Sequence, residues 1–211
     1  MDSSLLWDCV RVLVRLMSHA NEDFGLTFSD HSVRAKRRTM AILNAKTNEQ
    51  RLPLYRELLK VTEKTLASAE RISTELDQVE PPALADLVRA GALAQELRHY
   101  AELTKQAISQ TQRRVLGGEA VPASEKIVSI FEPHTDIIIK DQRETFFGHK
   151  VCLTGGVSSL ILDCVIEDGN PADSTLVKRS IERQKEIYGR APRQTSFDGG
   201  FASKENLKTA K

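Results

Sequence analysis

Cysteine is scarce in this chain of 211 residues, and the three present, Cys9, Cys152 and Cys164, lie far apart. No CxxC pair or Cys/His cluster occurs, which argues against a structural zinc site and a disulfide framework. Aromatic residues make up only 5% of the sequence, so a core must be built mainly from Leu, Val, Ile and Ala. No apolar run approaches the ~20 residues of a membrane-spanning helix. The N-terminus lacks a basic region followed by an apolar stretch, the mark of a signal peptide. Charge of one sign is not in excess either: 30 Lys+Arg stand against 29 Asp+Glu. A protein that coats nucleic acid on every side is thereby excluded, whereas local basic patches are not. The expectation is a soluble, reduced, cytoplasmic protein without a membrane partner.

Hydrophobic residues at 40% and charged residues at 28% suit one large domain or two small ones. The pattern changes near residue 120, which divides the chain into a helical region, 1–120, and a strand-bearing region, 121–211. Asp2, Ser3 and Ser4 form an N-cap cluster ahead of a stripe at Leu5, Leu6, Cys9, Val12, Leu13, Leu16 and Met17. Residues 21–28 read as a loop, and Ser29 or Asp30 caps a second helix ending near Lys46. From Glu49 to about Val79, Leu52, Tyr55, Leu59, Thr62, Leu66, Ala69 and Leu76 recur at helical spacing, with Pro53 in the first turn. Pro81 and Pro82 stop this helix. Leu87, Ala94, Ala101, Ile108 and Val115 then repeat every seven residues, flanked by Leu84, Leu97 and Thr104. Two helices of ~30 residues joined by a Pro turn predict an antiparallel hairpin about 45 Å long, ended by Gly117 and Gly118.

Beyond residue 120, residues 127–131 and 137–140 read as short strands. Residues 143–154 and 159–167 read as a β-hairpin around Gly155 and Gly156. Residues 160–166 are apolar on both faces, as in a central strand. Asp173 or Ser174 caps a helix ending at Tyr188 and Gly189. Residues 194–197 read as a strand leading into Asp198, and Ser203 caps a last helix. The class is α+β, with an all-helical N-terminal region and a long antiparallel helix hairpin.

Two constellations carry chemistry. The run Phe197-Asp198-Gly199-Gly200 puts a carboxylate at a strand end, ahead of two glycines that admit an anionic backbone, an arrangement suited to a metal ligand. The same run also serves as an ordinary turn. Two-metal phosphoryl transfer needs several converging carboxylates. Residues 31–46 hold Arg34, Lys36, Arg37, Arg38 and Lys46 with no acid among them, a positive helix face able to contact phosphates, or a solvated face balanced by neighbouring acids. His149 and Lys150 lie on a strand and Arg190 and Arg193 flank the next one, where they serve either DNA contact or ordinary surface and hydrogen-bonding roles. Asp163 reads as a strand residue bonded to neighbours, and Glu167, Asp168 and Asp173 as turn and cap residues.

Several segments resemble bacterial insertion-sequence transposases of the DDE type, which use an RNase H-like nuclease fold. These are DSSLLWDCVRVLVRLM, SDHSVRAKRR, VPASEKIVSIFEPHTDIIIK, FGHKV, LILDCVIEDGNPADS and YGRAPRQTSFDGGFAS, the last four being the most specific. The resemblance implies that residues 1–120 are a helical insertion and that 121–211 are the central part of an RNase H-like domain. It implies that Asp198 is the second acid of a catalytic triad that binds Mg²⁺ or Mn²⁺ and cleaves and joins DNA at insertion-sequence ends. It further implies DNA contacts by Arg34, Lys36, Arg37, Arg38, Lys46, His149, Lys150 and Arg193, a second copy of the chain as a partner, and a place on the bacterial nucleoid. In the family the first acid precedes the equivalent of Asp2, and the third, a glutamate, follows the equivalent of Lys211. One acid of three is then present, Asp136 just before a strand being the nearest alternative for the first, and the chain alone is expected not to cut DNA. The rival reading is a non-enzymatic helical module that binds DNA or protein through the long hairpin.

Overall fold

A computed structural model describes residues 2–80, 83–140 and 144–209. The chain is α+β, helices first and strands after. It divides into two compact units, Met1–Thr135 and Asp136–Lys211.

The first unit is a packed set of four helices. Helix α1 (Asp2–Phe24) buries the whole expected stripe from Leu5 to Met17. It runs seven residues beyond Met17, because Ala20 continues the same face and is fully buried. Helix α2 (Ser32–Asn44) begins where the Asp30 carboxylate accepts the Ser32 N–H at 2.7 Å. Helix α3 (Asn48–Leu76) is capped by Thr47 Oγ1, which accepts the Gln50 N–H at 3.3 Å, while Gln50 Oε1 accepts the Lys46 N–H at 3.0 Å. Pro53 falls in the second turn of this helix rather than the first.

Helix α4 (Leu84–Thr111) follows, so residues 48–111 form two separate helices packed side by side. The Pro81-Pro82 turn lies outside the described residues. The expected α4 stripe is buried at Ala94, Leu97, Ala101, Thr104 and Ile108, whereas Val115 is only partly buried in the turn that follows the helix and Leu84 and Leu87 are exposed at 76% and 49%. The helix widens into a π-turn at Gln112–Leu116, where the Gly117 N–H bonds to Gln112 O at 2.9 Å.

Residues 127–131 are not a strand. The Gln110 side-chain amide takes both polar groups of Ile127, accepting its N–H at 3.0 Å and donating to its carbonyl at 3.2 Å. A buried side chain thereby supplies what a neighbouring strand would have supplied. Ile127 and Ile130 join the helical core, which is one continuous aliphatic cluster.

The second unit holds two separate antiparallel ribbons. Strand β1 (Asp136–Lys140) pairs with β2 (Glu144–Gly148), and β3 (Val151–Gly155) pairs with β4 (Ile161–Ile166). The single strand expected over 143–154 is divided at Gly148, and Arg143 lies outside the described residues. Strand β4 has one strand neighbour and is no central strand; Ile161 and Ile166 are exposed at 65% and 67%. Helix α5 (Asp173–Tyr188) ends at Gly189, whose φ of +71° is a left-handed closure that a side chain would strain. It packs against β3–β4: Arg183 Nε reaches Asp163 Oδ2 at 2.6 Å, Arg179 pairs with the buried Glu167, and Cys152 Sγ lies 3.9 Å from Ser180 Oγ.

Residues 194–197 form no strand. They are exposed and mostly polar, and among the described residues no strand pairs with them. Asp198 instead starts a 3₁₀ turn (Gly199–Phe201) before helix α6 (Lys204–Thr209). Ser203 Oγ accepts the Asn206 N–H at 3.0 Å, and Asn206 Nδ2 donates to Ser174 O at 2.8 Å, which ties this segment to the start of α5.

Candidate nucleic-acid interface

Helix α2 turns Ala35, Thr39 and Ile42 inward, at spacings of four and three, and Thr39 Oγ1 donates to Ser3 O at 3.3 Å. That register leaves Arg34, Lys36 and Arg37 exposed. Helix α3 buries Leu58, Val61, Thr62, Thr65 and Ala69, so Arg56, Lys60 and Lys64 recur on its outer surface at intervals of one turn. Arg34, Lys60 and Lys64 line the same groove of about 340 Å³, together with Val61, Glu63 and Ala67.

Residues 31–64 contain nine Lys+Arg and three Asp+Glu, a net charge of +6, which leaves −5 for the rest of a chain whose total is +1. Pairing sharpens this asymmetry. Of the nine cations, Arg38 pairs with Glu57 (Nε–Oε2 2.6 Å), and Arg51 donates to the Ala45 carbonyl at 2.8 and 3.0 Å. Among the described residues no acidic partner is found for Arg34, Lys36, Arg37, Lys46, Arg56, Lys60 or Lys64. Later in the same unit Arg71, Arg89, Arg98, Lys105, Arg113 and Arg114 each hold a carboxylate. Glu102 and Glu70 hold the Lys105 ammonium and push its pKa up, and Arg113 holds the Glu119 carboxyl below its ordinary range. Those later cations balance charge within the fold; the earlier ones face solvent.

The other expected site residues lie in the second unit. Lys150 Nζ is bound by Asp173 Oδ1 at 2.5 Å and by the Pro171 carbonyl, which makes it a structural tie. His149 Nδ1 lies 3.7 Å from Asp136 Oδ2. Arg193 is exposed on the loop before Asp198. Asp198 is exposed, and its carbonyl accepts the Phe201 N–H at 3.0 Å. The space beside Gly200 is occupied by Asp173: a Cβ there would lie 2.7 Å from Asp173 Oδ2. The close approach at Gly200 is thus to the tip of a neighbouring acidic side chain. Among the described residues no group of three or more His, Cys, Asp or Glu side chains is placed to hold a metal. Asp198 by itself leaves most of a Mg²⁺ shell to water, so the residues described do not fit a two-metal centre.

Cysteine chemistry is equally unsupported at Cys9, whose thiol burial pushes up to about 12, far from a reactive thiolate. No helix of the described residues is long and apolar enough to cross a membrane. Sequence reading found the α2 cations through their freedom from acids but passed over Arg56, Lys60 and Lys64. The available signal was their i, i+4, i+8 recurrence within a helix. No protein-family model, curated protein or solved structure matches the chain.

Proposed function

We propose that the chain binds DNA through its phosphates and serves DNA transposition of the DDE type. The observation that carries the binding is the set of seven cations between residues 34 and 64 without acidic partners, in a molecule whose other helical-unit cations are mostly paired. Cations left in solvent on adjoining helices attract polyanions and release their counterions on contact. The groove at Arg34, Lys60 and Lys64 gives this attraction a place.

The transposition part rests on the resemblance of the segments that surround Asp198. In such an enzyme Asp198 is the second acid of a Mg²⁺ or Mn²⁺ site, and DNA cleavage and strand transfer are the reaction. The residues described supply one carboxylate for that role, so no chemical step is assigned to them. A second copy of the chain as a partner, and a place in the bacterial cytoplasm on the nucleoid, belong to the same proposal.

The test is fluorescence anisotropy with a labelled DNA duplex at low salt. Changing Arg34, Lys36, Arg37 and Arg38 together to Ala should weaken binding at least about tenfold and flatten its salt dependence. Equal binding by parent and variant contradicts the proposal. A second reading, a helical module that binds another protein, draws on Leu84, Leu87 and Val88, exposed at 76%, 49% and 65% at the start of α4. It expects no duplex binding by the parent chain.

A further inference from the structure

We infer that Arg56, Lys60 and Lys64 of α3, with Arg34 across the groove, form a track for the backbone of one strand of a nucleic-acid duplex. The inference rests on the phosphate-binding reading above and goes beyond it by naming a second helix and a class of nucleic acid.

Three observations carry it. The first is spacing. Residues four apart on a helix follow one another at about 6 Å, so the three cations span about 12 Å. One strand of a duplex places a phosphate every 3.4 Å or so along its axis, so this span covers about four of them, enough for one at each cation.

The second is the fate of the nearby acids. Glu57 is held by Arg38 at 2.6 Å, and Glu63 accepts a hydrogen bond from Gln112 Nε2 at 3.2 Å. Neither is bonded to a ladder cation. Like charges one turn apart repel and weaken a helix. The ladder is thus a cost to α3 that no ion pair on this face offsets, which is the pattern of a surface kept for a ligand.

The third is the lining. Val61, Ala67 and Glu63, the one carboxylate of the lining, complete the groove, and no aromatic side chain borders it; Tyr55, on the same helix, is buried. Proteins that hold single strands stack bases on exposed aromatic rings. A groove with cations and no rings offers nothing to an unstacked base and grips backbone alone. Its ligand keeps its bases stacked inside a duplex, and binding is independent of sequence.

The experiment is a salt titration by anisotropy, from about 50 to 200 mM, with two duplexes of unrelated sequence and an oligo-dT of equal length. The parent chain should bind both duplexes alike and the oligo-dT more weakly. The triple variant Arg56→Gln, Lys60→Gln, Lys64→Gln should reduce the slope of log K against log salt by about 3 on both duplexes. Its helix content, read by circular dichroism, should be retained with a melting temperature equal to or above the parent's. The charge-preserving triple Arg56→Lys, Lys60→Arg, Lys64→Arg should keep the parent slope. An unchanged slope in the Gln triple, or oligo-dT bound as tightly as duplex, overturns the inference. If the Lys36→Gln, Arg37→Gln variant lowers duplex binding while the α3 triple does not, the inference fails and the phosphate-binding reading stands. If the parent binds no duplex at low salt, both fall.

Discussion

In the helical unit Leu6, Leu13, Met17, Leu58, Ile72 and Leu97 are fully buried in one aliphatic cluster. In the strand-bearing unit Leu176 and Val177 are the only buried hydrophobic side chains among the described residues, while Leu153, Ile161 and Ile166 remain more than half exposed. The second unit is joined by charge instead: Lys150 to Asp173, Arg179 to Glu167 and Arg183 to Asp163. Burial of apolar area is insensitive to pH, whereas ion pairs respond to pH and are screened by salt. The two units should therefore answer differently to truncation, to loss of a charge and to acid.

The largest effect is expected in the helical core. Leu58→Ala should cost about 3 kcal/mol, read by urea unfolding through the fluorescence of Trp7, which packs on that core. Leu153→Ala, at a side chain 57% exposed, should change the stability of its unit by no more than about 0.5 kcal/mol, read as hydrogen exchange in β3 and β4. Comparable losses at both positions would break the comparison.

Removing a charge should reverse the ranking. Arg179→Ala leaves the carboxylate of Glu167, with a side chain only 2% exposed, without its guanidinium. The loss is expected as faster exchange in β4 with helices α1 to α4 unchanged. If exchange in β4 keeps the parent rate, the ion pair does not hold α5 to the ribbon.

Acid supplies the smallest effect. The Arg183 guanidinium, with a smaller contribution from the Cys164 N–H, holds the Asp163 carboxyl below its ordinary value of 3.8. A carboxyl with a depressed value in the folded chain stabilises it above the unfolded value, and that stabilisation is lost as pH falls through the folded one. Protection in β4, corrected for intrinsic exchange, should be flat from neutral pH to about 5 and decline below 3.8. Arg183→Gln should remove that decline. A loss of protection beginning near neutral pH would point to another group.

Much of the helical unit was legible because its periodicity is set by burial on one face. Every expected stripe residue of α1 is buried, and the α4 heptads hold from Ala94 to Ile108. Leu84 and Leu87 kept the period but lie in the exposed first turn. Residues 127–131 have the composition of a strand; that a glutamine 17 positions earlier would take both polar groups of Ile127 is a tertiary fact with no local signal. The strand expected before Asp198 failed for a related reason, since a strand needs a neighbour and residues 194–197 have none among the described residues. Within the candidate site, α2 stood out because no acid interrupts it. The α3 cations were hidden by Glu57 and Glu63, which neutralise them in sequence but are engaged by Arg38 and Gln112 in the fold. Lys150, which the sequence offers for DNA contact or an ordinary surface role, is bound by Asp173.

The central claim is that the cations between residues 34 and 64 face a phosphate backbone while those later in the helical unit serve the fold. Lysine acetylation footprinting of the intact chain, with and without duplex DNA, reads this directly, residue by residue. Lys36, Lys60 and Lys64 should react freely in the absence of DNA and become protected in its presence, while Lys105, held by Glu70 and Glu102, should react equally in both. Equal labelling of Lys36, Lys60 and Lys64 with and without DNA, at a concentration where the duplex is bound, would contradict the account.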